Sequence, residues 1–217
     1  MKKNSVLIIL GILFSLNILA WLAVRDLSQA RGLEVTFFDV GQGDSIFIET
    51  PERYQILIDG GPGEKVIEKL AKEMPFWDRT IDLIILTHPE HDHISGLIEV
   101  LKRYKVENIL WTGVLRDTAE YEEWQKLIAE EGAEIYIGQS GLGIYGGPTS
   151  SRGKPDLLVL YPFESFEGKE VKNTNNTSII ARLVFGENSF LFTGDAYKSV
   201  ERELLEGGVE VDSDVLV

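Results

Sequence analysis

The chain has 217 residues, 44% hydrophobic and 26% charged, a size that holds one globular domain with a proper core, and no second domain is read in it. It contains no cysteine, which excludes both a disulfide framework and a thiolate zinc site. Net charge is −14, and because residues 1–31 are +3 the remainder stands at −17, a body without the positive footprint of a protein that grips nucleic acid through its own surface.

In chain order, Val6 to Val24 is a run of nineteen uncharged residues between Lys2-Lys3 and Arg25. As a helix it would extend roughly 28 Å, close to the hydrocarbon thickness of a bilayer. It has no amphipathic stripe, so it does not read as a helix of a soluble core. A cleaved signal, cut after Ser28-Gln29-Ala30, is the competing reading, but the apolar core exceeds an ordinary signal segment and favours an uncleaved anchor. Lys2 and Lys3 favour a cytoplasmic N-terminus, diluted by Arg25 and Arg31. Either reading places the body outside the cytoplasmic membrane, single-pass and in contact with lipid through residues 6–24, or secreted after cleavage near Ala30. The expected organisation is residues 1–31 as anchor or signal and 32–217 as one domain.

Beyond this, Leu33–Phe38, Ser45–Glu49 and Tyr54–Ile58 read as consecutive strands, with Pro51-Glu52-Arg53 as a hairpin connection. Apolar spacing at Val66, Ile67, Leu70 and Ala71 predicts a helix over Glu64–Met74. Ile81–Leu86 is an apolar strand, and Ser95 caps a helix expected to run to Tyr104. Strand Asn108–Trp111, helix Ala119–Glu131 and strand Glu134–Ile137 follow. Ser140–Lys154 is a Gly/Ser-rich loop. Leu157–Tyr161 is a strand, Gly168–Thr177 is polar and irregular, Ser178–Phe185 and Ser189–Phe192 form a hairpin, and a short helix spans Ala196–Leu205. Trp77, Trp111 and Trp124 are expected in the core or on helix faces. The mixture predicts a layered α/β (α+β) fold with mixed sheets.

The chemistry concentrates at strand ends. His88-Pro89-Glu90-His91-Asp92-His93 holds all three histidines of the chain. Imidazoles and carboxylates at that density suit divalent cations better than a core segment or an ordinary polar loop. Asp39-Val40-Gly41-Gln42-Gly43-Asp44-Ser45, Asp59-Gly60-Gly61 and Thr193-Gly194-Asp195-Ala196 likewise follow apolar strands. Any one alone would be a turn; four together point to a site on the edge of a sheet.

His88-x-Glu90-x-Asp92-His93 resembles the His-x-His-x-Asp-His motif of the metallo-β-lactamase superfamily, and Thr193-Gly194-Asp195 resembles its later aspartate box. The Asp39–Ser45 string, Leu57-Ile58-Asp59-Gly60-Gly61, Asn175-Asn176-Thr177-Ser178 and Phe190–Ala196 are similar to the extracytoplasmic hydrolase domain of ComEC-type competence proteins and their free-standing relatives. The resemblance implies a four-layer αββα sandwich holding one or two divalent cations, Zn2+ or Mn2+. His88 and Glu90 would hold the first ion, Asp92 and His93 the second, and Asp195 would bridge them, with Asp92 also orienting the attacking water. Asp59 would hold a ligand in place, Asp39, Gln42 and Asp44 would shape the rim, and Asn175 and Asn176 would face substrate or metal. His91 is expected to be an exposed neighbour.

Two departures stand out. Glu90 occupies the middle ligand position, which enriches the site in carboxylate and favours manganese more than a three-histidine site would. The family's last histidine would follow Asp214-Val215-Leu216, whereas the sequence stops at Val217, so the sandwich is expected to be incomplete there. The implied activity is metal-dependent cleavage of phosphodiesters in nucleic acid outside the membrane. Hydrolysis of a small ester, lactone or β-lactam by the same centre, and a degenerate non-catalytic binding module, stay open. No stable protein partner is implied.

Overall fold

Residues 3–28, 32–145 and 157–217 are described by a computed structural model, in which the chain falls into two units, Met1–Gly32 and Leu33–Val217. The first unit is a single helix, α1 (Lys3–Ser28). The apolar side chains described along it are exposed, Leu7 at 63% and Trp21 at 62% among them. Among the described residues no helix is long and apolar enough to cross a membrane. The expected transmembrane helix is thus corrected to this extent: a helix forms at 6–24, without a span among the described residues. Gln29 and Ala30, on which the cleavage expectation rests, lie outside them.

The second unit is built on two sheets. The first has six strands in sequence order: β1 (Glu34–Phe37), β2 (Ile46–Glu49), β3 (Gln55–Ile58), β4 (Thr80–Ile85), β5 (Lys105–Trp111) and β6 (Glu134–Ile137). β1 to β3 pair antiparallel, and β3 to β6 pair parallel. Parallel neighbours need crossovers, supplied by α2 (Lys65–Glu73), α3 (His91–Leu101) and α4 (Ala119–Glu131). The second sheet, in the order β11-β10-β9-β8-β7, comprises β7 (Gly143–Ile144), β8 (Leu157–Tyr161), β9 (Ile180–Phe185), β10 (Asn188–Phe192) and β11 (Val215–Leu216), with α5 (Lys198–Glu206) between the last two.

Strand alternation explains the layering. Side chains two apart share a face, so Ile46, Ile48, Ile56, Ile58, Leu83 and Ile85 form one core with Leu157, Val159, Ala181, Leu183 and Phe192 of the opposite sheet. The intervening Phe47, Leu57 and Ile84 pack with Val66, Leu70, Ile94, Leu97 and Trp124 from the crossover helices. On the far face, Leu160, Ile180 and Leu191 join Val200 and Leu204 of α5. Four αββα layers result. Each side chain buried in them contributes roughly 1.5–3 kcal/mol before the entropy of ordering is charged against it. Helix α4 is punctuated locally: the Thr118 hydroxyl accepts from the Tyr121 N–H, and Gly132 closes the helix in the left-handed region at φ 73°.

Three expectations are corrected. Helix α3 begins at His91, four residues before Ser95, because extended Glu90 serves as its N-cap and the acidic Asp92 suits a first turn. Trp111 and Trp124 are buried, but Trp77 is 73% exposed beside Phe76, in the loop before β4. The loop expected over Ser140–Lys154 contains the short strand β7, and its residues from 146 onward lie outside the described ones.

Candidate metal centre

The C-terminal ends of β3 and β4 lie side by side in register, Ile58 opposite Ile85. This sets Asp59, just past β3, beside Thr87 and His88, just past β4. The first turn of α3 is brought to the same place by a backbone dock. Gly60 N–H donates to the His93 carbonyl and Gly96 N–H to the Gly61 carbonyl, both at 2.9 Å. Only glycine permits it: a Cβ on Gly96 would lie 1.9 Å from the Gly60 oxygen. From the second sheet, the segment entering β9 reaches over as Ile179 N–H donates to the Thr87 carbonyl. Past β10, Gly194 packs on Thr87 and carries Asp195 to the cluster.

Asp59 is the pivot beneath the site. It is wholly buried, with φ 54°, a conformation that Asp and Asn tolerate better than other side chains. Its Oδ1 accepts from Thr87 N–H at 2.9 Å, and its Oδ2 accepts from the Thr87 hydroxyl at 2.6 Å and from His93 Nδ1 at 2.8 Å. An ionised carboxylate only accepts, so these contacts fix the protons. His93 carries its proton on Nδ1. The Thr87 hydroxyl, its own proton spent on Asp59, accepts from His88 Nδ1 at 3.0 Å. Both rings therefore turn Nε2 outward.

Those two Nε2 atoms are buried and without a hydrogen-bond partner, a costly state unless something else takes the lone pairs. His88, His93 and Asp195 each present a ligand atom, all within 4.8 Å of one another. His93 Nε2 lies 3.5 Å from Asp195 Oδ1. Two imidazole nitrogens and one carboxylate, with second nitrogens anchored through hydrogen bonds, fit a divalent cation and leave room in its coordination shell for water.

Burial opposes charge on His93, but Asp59 beside it, aided by Asp195 and Asp92, pushes its pKa up to about 9, so without a cation the ring also carries a proton on Nε2, and a cation bound there takes that proton's place. His88 is moved below its ordinary value by burial and by the neighbouring His93, against Asp59, Asp195 and Glu90. Asp44 is raised by burial and by Asp59, with Asp195 and Asp92 adding to the effect. The site is a nest of negative charge whose centre invites a cation.

The remaining expected residues divide. Asp92 borders the cluster, its Oδ1 4.0 Å from His93 Nε2. Asn175 donates to Asp195 Oδ2 at 3.3 Å. Asn176 turns away, its side chain accepting from Ser199 on α5, and Asp39 and Gln42 are exposed. His91 is exposed and contacts Glu120 and Ser95. Glu90 is the clear difference from the expected ligand set: it lies outside the gathered ligands and pairs with Arg116 at 2.8 Å. Thr87, Arg116 and Thr174 were not singled out by sequence. Arg116 follows β5, a parallel strand of the same sheet, so the strand-end rule that found the other motifs would have pointed to it.

Fold and donor set together describe a metallohydrolase-type centre, and the comparisons agree. Residues 38–215 match the model of the metallo-β-lactamase superfamily, and the chain belongs to that superfamily. It is similar to ComE operon protein 3 of Bacillus subtilis (strain 168), 27% identical over 210 residues, covering 84% of this chain and 24% of the relative. The chain thus spans about a quarter of that protein's length. Among solved structures, a subclass B3 metallo-β-lactamase from a soil metagenome library matches at TM-score 0.50 and 13% identity, over 87% of this chain and 77% of that one. A motif variant of the Cronobacter sakazakii metallo-β-lactamase matches at TM-score 0.50 and 12% identity, over 86% and 76%. These likenesses show the fold.

Proposed function

We propose that the chain is a metal-dependent hydrolase of phosphodiesters, acting on DNA at the outer side of the cytoplasmic membrane. The observation that carries the hydrolase reading is the convergence of two buried, unpartnered imidazole nitrogens with Asp195. A divalent cation held there supplies an acidified water and charge stabilisation at the reacting group. The chain's own residues do the rest. Asp59 holds the His93 proton on Nδ1 and, through Thr87, the His88 proton on Nδ1. Asn175 steadies Asp195. Asp92, its side chain 38% exposed on the rim, orients the attacking water and accepts its proton.

Nucleic acid as substrate is supported by the family resemblance and by the relative encoded in the ComE operon. The −17 body makes the bound cation the main source of attraction for a polyanion. A location at the membrane is supported by the exposed apolar side chains of α1 and tested by carbonate extraction. The decisive assay incubates the purified chain with Mn2+ or Zn2+ and either DNA, a lactone or a β-lactam. DNA cleavage abolished by Asp195→Asn is the expected result. A protein that binds metal and spares DNA while opening a lactone or β-lactam would overturn the substrate assignment.

A further inference from the structure

Glu90 stands where a metal ligand would be expected, yet the fold gives its carboxylate other work. Oε1 lies 2.8 Å and Oε2 3.0 Å from Arg116 Nη2, and the Thr174 hydroxyl donates to Oε1. Arg116 comes from the loop after β5, and Thr174 opens a single 3-10 turn, Thr174–Thr177, before β9. Two segments remote in sequence thus hold the carboxylate. Both carboxylate oxygens meet the same guanidinium nitrogen, Nη2, while Arg116 Nε is buried with no hydrogen-bond partner. Both partners are only partly exposed, at 31% and 29%, which strengthens the pair relative to a fully solvated one.

A carboxylate that neutralises a guanidinium and accepts from a hydroxyl has little left to offer a divalent ion. The guanidinium fixed beside it also repels a second double charge. We infer that the Arg116–Thr174 clamp on Glu90 restricts the centre to one divalent ion, and that releasing Glu90 admits a second. The inference rests on the metal reading above. Freed Glu90 would join His88 on one side while Asp92 and His93 serve the other, with Asp195 between them. Glu90 and Asp92 would supply the oxygen ligands that hard cations such as Mn2+ prefer. Arg116 is then a positioning residue that sets metal stoichiometry.

The test is equilibrium dialysis of the full chain in mild detergent against Zn2+ or Mn2+, followed by elemental analysis. Wild type should hold about one ion per chain, and Glu90→Gln should not change this. Arg116→Met should raise the content to about two, and adding Glu90→Gln to that variant should return it to about one. Thr174→Val should weaken the clamp and raise the content in the same direction. Wild type holding two ions, with Glu90→Gln lowering the number, would overturn the inference while leaving the metal reading intact. So would folded Arg116→Met remaining at one. Should Arg116→Met fail to fold, the Glu90→Gln and Thr174→Val results decide alone. Wild type holding no ion, unchanged by His88→Ala, would overturn the metal reading itself and this inference with it.

Discussion

Asp59→Asn is the sharpest probe of the centre because it changes protons and leaves shape alone. Asn keeps the size of the side chain and tolerates the same φ of 54°, and its oxygen can still accept from Thr87 N–H. The amide NH2, however, replaces the oxygen that accepts from the Thr87 hydroxyl and from His93 Nδ1. Facing a donor, His93 must carry its proton on Nε2. The Thr87 hydroxyl, no longer needed as a donor to residue 59, turns toward His88 Nδ1 and drives that ring to the same tautomer. Both nitrogens that converge with Asp195 then bear protons. Binding a cation requires both rings to be forced back, leaving donors opposed to donors in a buried site. Changes to groups that support a metal ligand ordinarily cost 10–100-fold in affinity. With two ligands affected, the upper end is expected: about 100-fold, or ~2.7 kcal/mol. The assay is competition for Zn2+ against a chromophoric chelator, with 15N NMR of the imidazoles reporting the tautomers. An Asp59→Asn protein that binds Zn2+ like wild type, with Nδ1-protonated rings, would refute the proton assignment.

Other outcomes follow from the same structure. Gly96→Ala should lower stability by about 3 kcal/mol, since overpacking on that scale forces α3 off the Gly60 carbonyl, and should weaken metal binding as His93 moves with the helix; a urea titration with unchanged midpoint would refute this. Trp124→Ala, at a fully buried side chain packed on Trp111, should cost about 3–5 kcal/mol while leaving metal stoichiometry unchanged, read by the same titration and by elemental analysis. In chelator-treated protein, His93 is protonated more readily folded than unfolded, with its pKa up at about 9. Its contribution is fully present below the unfolded value near 6.5 and is lost as pH rises through about 9, which amounts to roughly 3 kcal/mol. His88, held below its ordinary value, acts in the opposite sense below pH 6.5, so metal-free stability should peak near 6.5. Urea midpoints that rise between pH 6.5 and 9 would contradict this.

The strands and their alternation were legible in the sequence because a sheet buried on both faces must be written in nearly continuous Ile, Leu and Val, as in Ile56–Ile58 and Leu83–Ile85. The histidine cluster was legible because a hexapeptide so rich in ligand atoms has few other uses. That the ends of β3 and β4 share one edge also followed, since parallel strands joined by a crossover put their C-terminal ends together; that the end of β10, in the other sheet, meets them did not. Tertiary structure alone decided which of those ligand atoms meet. Glu90 and Asp195 look equally available in the sequence, but Arg116 and Thr174, 26 and 84 residues away, claim the first and leave the second. Asp59 was marked in the sequence only as a support for some ligand; its 28- and 34-residue separations from Thr87 and His93 became hydrogen bonds only when Gly60 and Gly96 let α3 close on β3. Local pattern records what a residue can bind. Which partner reaches it first is a matter of packing between segments far apart in the chain, and no local pattern encodes that.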